Sequence, residues 1–140
     1  MTLLDDRIAF TRCLGQLLTH AADSGLDVVV CEVLRSQAGA TWAANHCAKV
    51  VDGERCEQVR MHPVHDHHTF VSIGSARSVH LHGLAVDLYV IVNKQISNDP
   101  MHYAAMALFW KSLLPGRARW GGDFSTADLG HFSFEINGVQ

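Results

Sequence analysis

An α+β fold built on a small antiparallel sheet with flanking helices is what this sequence predicts, and three observations carry that expectation. Two helix-length segments with apolar residues at helical spacing lie far apart, near residues 3–24 and 101–114. Two β-branched apolar runs, 26–33 and 84–92, read as strands. The order helix, strand, long loop, strand, helix, short strands lacks the regular strand–helix alternation of a parallel sheet. The 140 residues suit one domain, 1–140, large enough to bury a core without staples.

Each element has a local cause. Thr2-Leu3-Leu4-Asp5 reads as a capping box, in which the threonine oxygen and the acid satisfy free amides at a helix start. Leu4, Ile8, Leu14, Leu17, Leu18 and Ala21 then form the expected buried stripe, up to the stop signal Ser24-Gly25. Leu26 to Val33 is the first strand, and a short helix is expected around Gln37–Cys47, interrupted by Gly39 and Thr41. Residues 48–77 hold turn formers, charges and histidines without periodicity, and read as a long loop with room for a hairpin. Leu84 to Val92 is the second strand. Asn98-Asp99-Pro100 opens the late helix, with proline where its missing amide is harmless. Met101, Met106, Phe109 and Trp110 are its expected core residues, and Pro115-Gly116 ends it. Short strands follow near Ala118–Trp120 and His131–Ile136.

Composition narrows the function. With 48% apolar and 18% charged residues the chain is neither a disordered polymer nor a coiled coil. Eleven basic against fourteen acidic residues give a net charge of −3, and no Lys/Arg block exists. That argues against nucleic-acid partners and against a membrane-surface role. Histidine is unusually abundant: ten added protons would move −3 to +7 as pH falls through the imidazole range. Cys13, Cys31, Cys47 and Cys56 form no C-x-x-C pair, and reduced thiols are favoured over two disulfides. The N-terminal sequence shows no signal peptide, and no apolar run approaches the ~20 residues of a membrane helix. Synthesis in the cytoplasm without membrane insertion is therefore expected, and no protein partner is evident.

The chemistry concentrates in two clusters. In Ser78-Val79-His80-Leu81-His82-Gly83-Leu84-Ala85-Val86-Asp87-Leu88-Tyr89, strand alternation places Ala85, Asp87 and Tyr89 on one face. A carboxylate within an apolar strand needs a strong partner, either an arginine, a set of backbone amides or a metal. His80, across the flexible Gly83, can turn back toward it. The second cluster, Trp120-Gly121-Gly122-Asp123-Phe124 through Asp128-Leu129-Gly130-His131, sets a carboxylate three residues from an imidazole. It reads as a turn aspartate with a packed histidine, or as part of a hydrolytic metal site. Joined, the clusters supply His80, Asp87 and His131 as three N/O ligands of Zn2+ with an open fourth position, the catalytic rather than the structural arrangement. Asp128 is left as the general base acting on a metal-activated water, and then as the acid for the leaving amine.

Ser78-x-His80-x-x-Gly83-x-Ala85-x-Asp87 resembles the signature of the zinc D-alanyl-D-alanine peptidases and their relatives, which include phage L-alanyl-D-glutamate endolysins, vancomycin-resistance dipeptidases and, more remotely, the Hedgehog signalling domain. Trp120-Gly-Gly-Asp123-Phe and Asp128-x-x-His131-Phe are similar to the second half of the endolysin branch. The resemblance implies a Hedgehog/DD-peptidase-like fold, a zinc metallopeptidase and a peptidoglycan stem peptide as substrate. It puts the metal on His80, Asp87 and His131 and the catalytic carboxylate on Asp128, where many members carry glutamate. It places Arg35 and Ser78 against substrate. A surface salt bridge is the competing role for Arg35. It also implies release from the cytoplasm before acting on the wall. L-alanyl-D-glutamate cleavage is favoured over a D,D-carboxypeptidase or dipeptidase, and over a non-catalytic module of a phage particle. Asp123 is expected to orient a ligand imidazole, His82 to sit beside the ligands, and Trp120 to pack beneath the site or line its groove. His62, His65, His67 and His68 form either a second metal site or, preferentially, a solvated loop edge.

Overall fold

The computed structural model describes residues 2–33, 50–51, 54–55 and 79–140. Helix α1, Leu3–Asp23, starts as its sequence dictates: the Asp5 amide donates to Thr2 Oγ1 at 3.2 Å and the Thr2 amide to Asp5 Oδ2 at 2.8 Å. It ends at Ser24, and Gly25 adopts the left-handed φ of 72° that lets the Leu26 amide reach back to the Ala21 carbonyl. The buried stripe differs from the expected one. Asp6, Phe10, Leu17 and Ala21 face the core, whereas Leu4 and Ile8 are exposed. The cause is tertiary: Phe10 packs against Trp110 and Phe134, and on the same face Arg117 donates to Asp6 Oδ1 at 2.7 Å.

Strand β1, Asp27–Glu32, is followed by the two-residue strands β2, Val50–Val51, and β3, Glu54–Arg55, which pair as a small antiparallel hairpin within the expected long loop. Strand β4, Ala85–Val92, and the short β5, Gln95–Ile96, form a second hairpin whose turn holds Asn93 and Lys94 at positive φ. Helix α2, Pro100–Leu113, is capped by Asp99, whose Oδ1 accepts from the Met101 amide at 2.9 Å. Strands β6, Ala118–Trp120, and β7, His131–Phe134, complete the fold. The expected helix at Gln37–Cys47 lies outside the described residues, as do Cys47 and Cys56, while Cys13 and Cys31 are free thiols.

All pairings in the main sheet are antiparallel, in the order β1-β4-β7-β6, with β5 on β4. Along β4, Val86, Leu88 and Val90 are buried on the helix side, and Asp87 and Tyr89 occupy the more open face. Between sheet and helices, Phe10 meets Trp110 edge-on at 5.6 Å and Phe134 at 5.2 Å. Burial of such rings contributes on the order of 2–3 kcal/mol each. Trp110 also satisfies its indole N–H by donating to the Arg119 carbonyl at 3.0 Å, which ties α2 to β6. Met106 and Trp110 are core residues as expected, and Phe109 packs partly buried against the core while stacking on His20 at 4.1 Å, whereas Met101 is 76% exposed in the first helical turn. No helix among the described residues is long and apolar enough to cross a membrane.

Candidate active site

The open face of β4 carries the chemistry because alternation allows nothing else. With Val86 and Leu88 committed to the core, Asp87 must project to the other side. The β4–β7 register sets His131 directly opposite Asp87, so the two side chains rise from adjacent backbone positions on one face. His80 arrives from a different element, the 3-10 turn Val79–His82 just ahead of β4. Gly83, at φ 66°, reverses the chain there and returns His80 to the sheet. Arg7 of α1 holds this turn from outside, its Nε donating to the His82 carbonyl at 2.7 Å.

The three groups converge. His80 Nε2 lies 3.3 Å and His131 Nδ1 3.5 Å from Asp87 Oδ1, and one ligand atom from each residue falls within 4.8 Å of the other two. The rings of His80 and His131 meet at 5.2 Å and 70°. Both histidines are buried, and Asp87 is half-buried.

The hydrogen bonding of His80 says what this cluster needs. Its Nδ1 is 3.1 Å from the carbonyl of Val33, at the end of β1; a carbonyl only accepts, so Nδ1 carries a proton. In the neutral ring Nε2 is then a lone pair, and it points at a carboxylate oxygen. Burial alone would raise the Asp87 pKa, but hydrogen bonds and positive charge from His131 and His80 outweigh it and hold the group well below the usual carboxylate range. A neutral His80 would set its Nε2 lone pair against this ionised oxygen, which is repulsive unless positive charge sits between them, either a proton or a shared cation. Two imidazoles and a carboxylate, with one ring fixed by a backbone carbonyl on its far nitrogen, suit a divalent metal with N/O preference. The Nε2 of His131 is buried with no hydrogen-bond partner, so this ring is not locked in the same way.

Asp128 stands beside this group on the loop that leads into β7. The loop is pinned to the short 3-10 turn Gly121–Asp123: the Asp128 amide donates to the Gly121 carbonyl at 2.9 Å, and the His131 amide to the Asp128 carbonyl at 3.2 Å. Trp120, at the end of β6, packs its ring beneath and donates from Nε1 to the Leu129 carbonyl at 2.8 Å. Asp128 itself is open to solvent at the mouth, yet the protein mass around its carboxyl and the charge of Asp87 raise its pKa, against the opposing pull of His131. Phe124 flanks His131 at 5.6 Å. On the other side of Asp128, Tyr89 forms part of the wall of a cavity of about 450 Å³, and burial together with the charges of Asp87 and Asp128 pushes its phenol up to about 12.

The residues expected from sequence divide accordingly. His80, Asp87 and His131 come together, and Asp128 lies alongside. Trp120 lies under the loop, its indole holding the Leu129 carbonyl from below. His82 shares the turn with His80 but stands outside the three-residue group, and its backbone carbonyl makes the contact with Arg7. Asp123 is a correction: its carboxylate is taken by Lys111 of α2 at 2.8 Å on the exposed side, so it does not orient a ligand imidazole. Arg35, Ser78 and the His62–His68 cluster lie outside the described residues. Sequence reasoning did not single out the Val33 carbonyl, which as backbone leaves no signal. It also passed over Tyr89 as a functional group, although i,i+2 alternation with Asp87 had placed it on the same face.

Comparison with known proteins agrees with this geometry. Residues 72–134, which contain all four site residues, match the family model described as D-alanyl-D-alanine carboxypeptidase. The match spans 63 of the 140 residues. No curated protein matches the sequence. Among solved structures, the chain is similar to the crystal structure of the Serratia marcescens L-Ala D-Glu endopeptidase ChiX, with a TM-score of 0.58 and 22% identity over 90% of this chain and 77% of that one. At that identity the likeness is one of fold, and it bears out the α+β architecture with a small antiparallel sheet and flanking helices. The enzyme class is thus peptidase, and the cluster on β4 and β7 falls inside the peptidase segment.

Proposed function

We propose that the protein is a zinc-dependent peptidase of bacterial cell-wall stem peptides that hydrolyses the L-alanyl-D-glutamate bond. The observation that carries this reading is the convergence of His80, Asp87 and His131 on one point, with Asp128 beside them. Held by these three, a zinc ion supplies Lewis acidity toward a carbonyl and lowers the pKa of water. The chain's own groups do the rest. Val33, through His80 Nδ1, keeps the far nitrogen of that ring free of a proton. Asp128 takes a proton on its carboxylate during attack and returns it to the leaving amine, and its raised pKa brings it nearer the working pH. No covalent bond to the protein is formed.

The endopeptidase reading draws on the fold likeness to the Serratia enzyme and on the Trp120–Phe124 element. A lysis role, in which the enzyme reaches the wall after release from the cytoplasm, belongs to the same reading. D-alanine release is the second reading, favoured by the description of the matching family model. A purely binding module is disfavoured by the carboxylate at position 128. Digestion of purified peptidoglycan followed by mass spectrometry separates them: new N-terminal D-glutamate is expected, and released D-alanine would transfer the assignment. Elemental analysis should find about one zinc per chain; chelation should abolish hydrolysis and added zinc restore it. Activity that persists in metal-free protein would overturn the metallopeptidase reading.

A further inference from the structure

In the wall of the cavity beyond Asp128, the exposed Asn98 side chain and the Tyr89 hydroxyl make no hydrogen bond among the described residues, and of the two only Tyr89 is held in place. Tyr103, at its base, is fully buried and both functions of its hydroxyl are engaged, donating to the Ser97 carbonyl at 2.9 Å and accepting from the Val90 amide at 3.1 Å. The Ser97 hydroxyl is engaged by the Asp99 amide at 3.1 Å and by His102 at 2.6 Å. Tyr89 differs. Its hydroxyl has no hydrogen-bond partner among the described residues, although its ring is firmly seated. A Cβ built on Gly130 would fall 2.5 Å from Tyr89 Cε1 and 2.8 Å from Cδ1, so the ring lies flat against the Gly130 backbone, between Asp128 and His131 in sequence. A fixed ring whose hydroxyl has no partner among the described residues, in the wall of a cavity of about 450 Å³ that Asp128 also lines, is pre-organised to bind something.

What it binds follows from which side of the bond Asp128 serves. The group that protonates the leaving amine must lie on the amine side of the scissile bond. A cavity that has Asp128 in its wall and extends away from the His80–Asp87–His131 cluster therefore holds the amine-side fragment. Its described lining contains no lysine or arginine and includes the Asp128 carboxyl, so an oxygen entering there depends on a neutral donor such as the Tyr89 hydroxyl. We propose that Tyr89 is a specificity-determining residue whose hydroxyl donates a hydrogen bond to a carboxylate or carbonyl oxygen of the D-glutamyl residue on the amine side of the cleaved bond. This rests on the L-alanyl-D-glutamate reading above and adds to it the residue that recognises the leaving fragment.

The test is Tyr89→Phe, which keeps the ring over Gly130 and removes only the hydroxyl. For an L-alanyl-D-glutamate peptide, KM should rise about ten-fold with kcat within about two-fold, as expected for loss of one substrate hydrogen bond. Zinc content and melting temperature should match the parent. The KM penalty should shrink for the same peptide with D-glutamine in place of D-glutamate if the contact is to the side-chain acid, and persist if it is to a backbone carbonyl. Unchanged KM overturns the proposal, and so does a fall in zinc content or melting temperature, which would make the hydroxyl structural. Should the parent protein cleave no L-alanyl-D-glutamate peptide, the functional reading fails, and calorimetry with D-glutamyl-L-lysine decides the cavity separately. Binding weakened about ten-fold by Tyr89→Phe supports the contact; equal binding to both proteins, or binding to neither, overturns it.

Discussion

Gly121→Ala is the substitution for which the structure gives the sharpest expectation. A Cβ at this position would stand 2.2 Å from the Asp128 carbonyl oxygen, 2.8 Å from His131 Cβ and 3.1 Å from the Asp128 carbonyl carbon. Ordinary carbon contacts begin near 3.5 Å, so the first approach is more than about 1 Å too short. None of the opposing atoms is the far end of a flexible side chain. Relief must come from displacing the Asp128 backbone, and the hydrogen bond from the Asp128 amide to the Gly121 carbonyl resists that motion. Overpacking of this kind costs about 1–3 kcal/mol, or a fall in melting temperature of roughly 3–10 °C at this chain length. The larger effect is on turnover. A shift of about 1 Å in a proton-transferring group lowers the rate by on the order of 10²-fold. The assay is kcat/KM on a stem peptide, beside zinc content and thermal unfolding. Gly15→Ala is the control, because that glycine lies exposed within α1 with nothing inside 4 Å of its Cβ, and alanine there should stabilise by about 0.5–1 kcal/mol without altering activity. A Gly121→Ala enzyme with parental activity and melting would refute the idea that close backbone approach at Gly121 fixes the catalytic carboxylate.

Two further outcomes bear on the same centre. Asp128→Ala should retain the fold and the zinc but lose hydrolysis by at least 10²-fold, and undiminished turnover would remove Asp128 from the mechanism. His80→Ala should lower zinc affinity by 10-fold or more while His82→Ala leaves it nearly unchanged, measured by competition with a chromophoric chelator; equal losses would mean that the metal is held by a different ring.

The parts of this molecule that were legible in its sequence are those whose causes are local. The limits of α1 follow from Thr2, Asp5 and Gly25 hydrogen-bonding within a few residues, and those of α2 from Asp99 and Pro100. Strand β4 announces itself by alternation, and the same alternation isolates Asp87 as a carboxylate that had to find a partner. What failed depended on the opposite side of the fold. Leu4 and Ile8 have the spacing of a buried stripe, but the buried face is that of Phe10 and Asp6, whose partners Trp110, Phe134 and Arg117 are distant in the chain. Asp123 is near His131 in sequence, yet α2 brings Lys111 to it first. Met101 is apolar but sits in the turn where α2 emerges into solvent. The Tyr89 hydroxyl stands out only beside Tyr103 and Ser97, whose hydroxyls are engaged elsewhere in the fold.

The division of labour between rigid and looped elements has a consequence for how this site can change. Asp87 and His131 belong to paired strands whose reverse faces are packed in the core, so their spacing is fixed by register rather than by side-chain choice. His80 is tied at both ends, by Gly83 returning the chain and by the Val33 carbonyl on Nδ1. Of the four, Asp128 stands on a loop, and that loop is held by the Gly121 carbonyl, by the Trp120 indole and, at Gly130, by the Leu88 amide of β4. Metal affinity and proton transfer should therefore be separable: changes at Gly121 or Trp120 move the carboxylate while leaving the three ligands in place. Loss of the Val33 carbonyl bond has the converse effect, loosening a ligand ring without touching Asp128. On the proposed mechanism, a sheet that fixes Asp87 and His131, with His80 tied on the turn before it, leaves the loop that carries Asp128 able to change, and with it the scissile bond, without rebuilding the metal site.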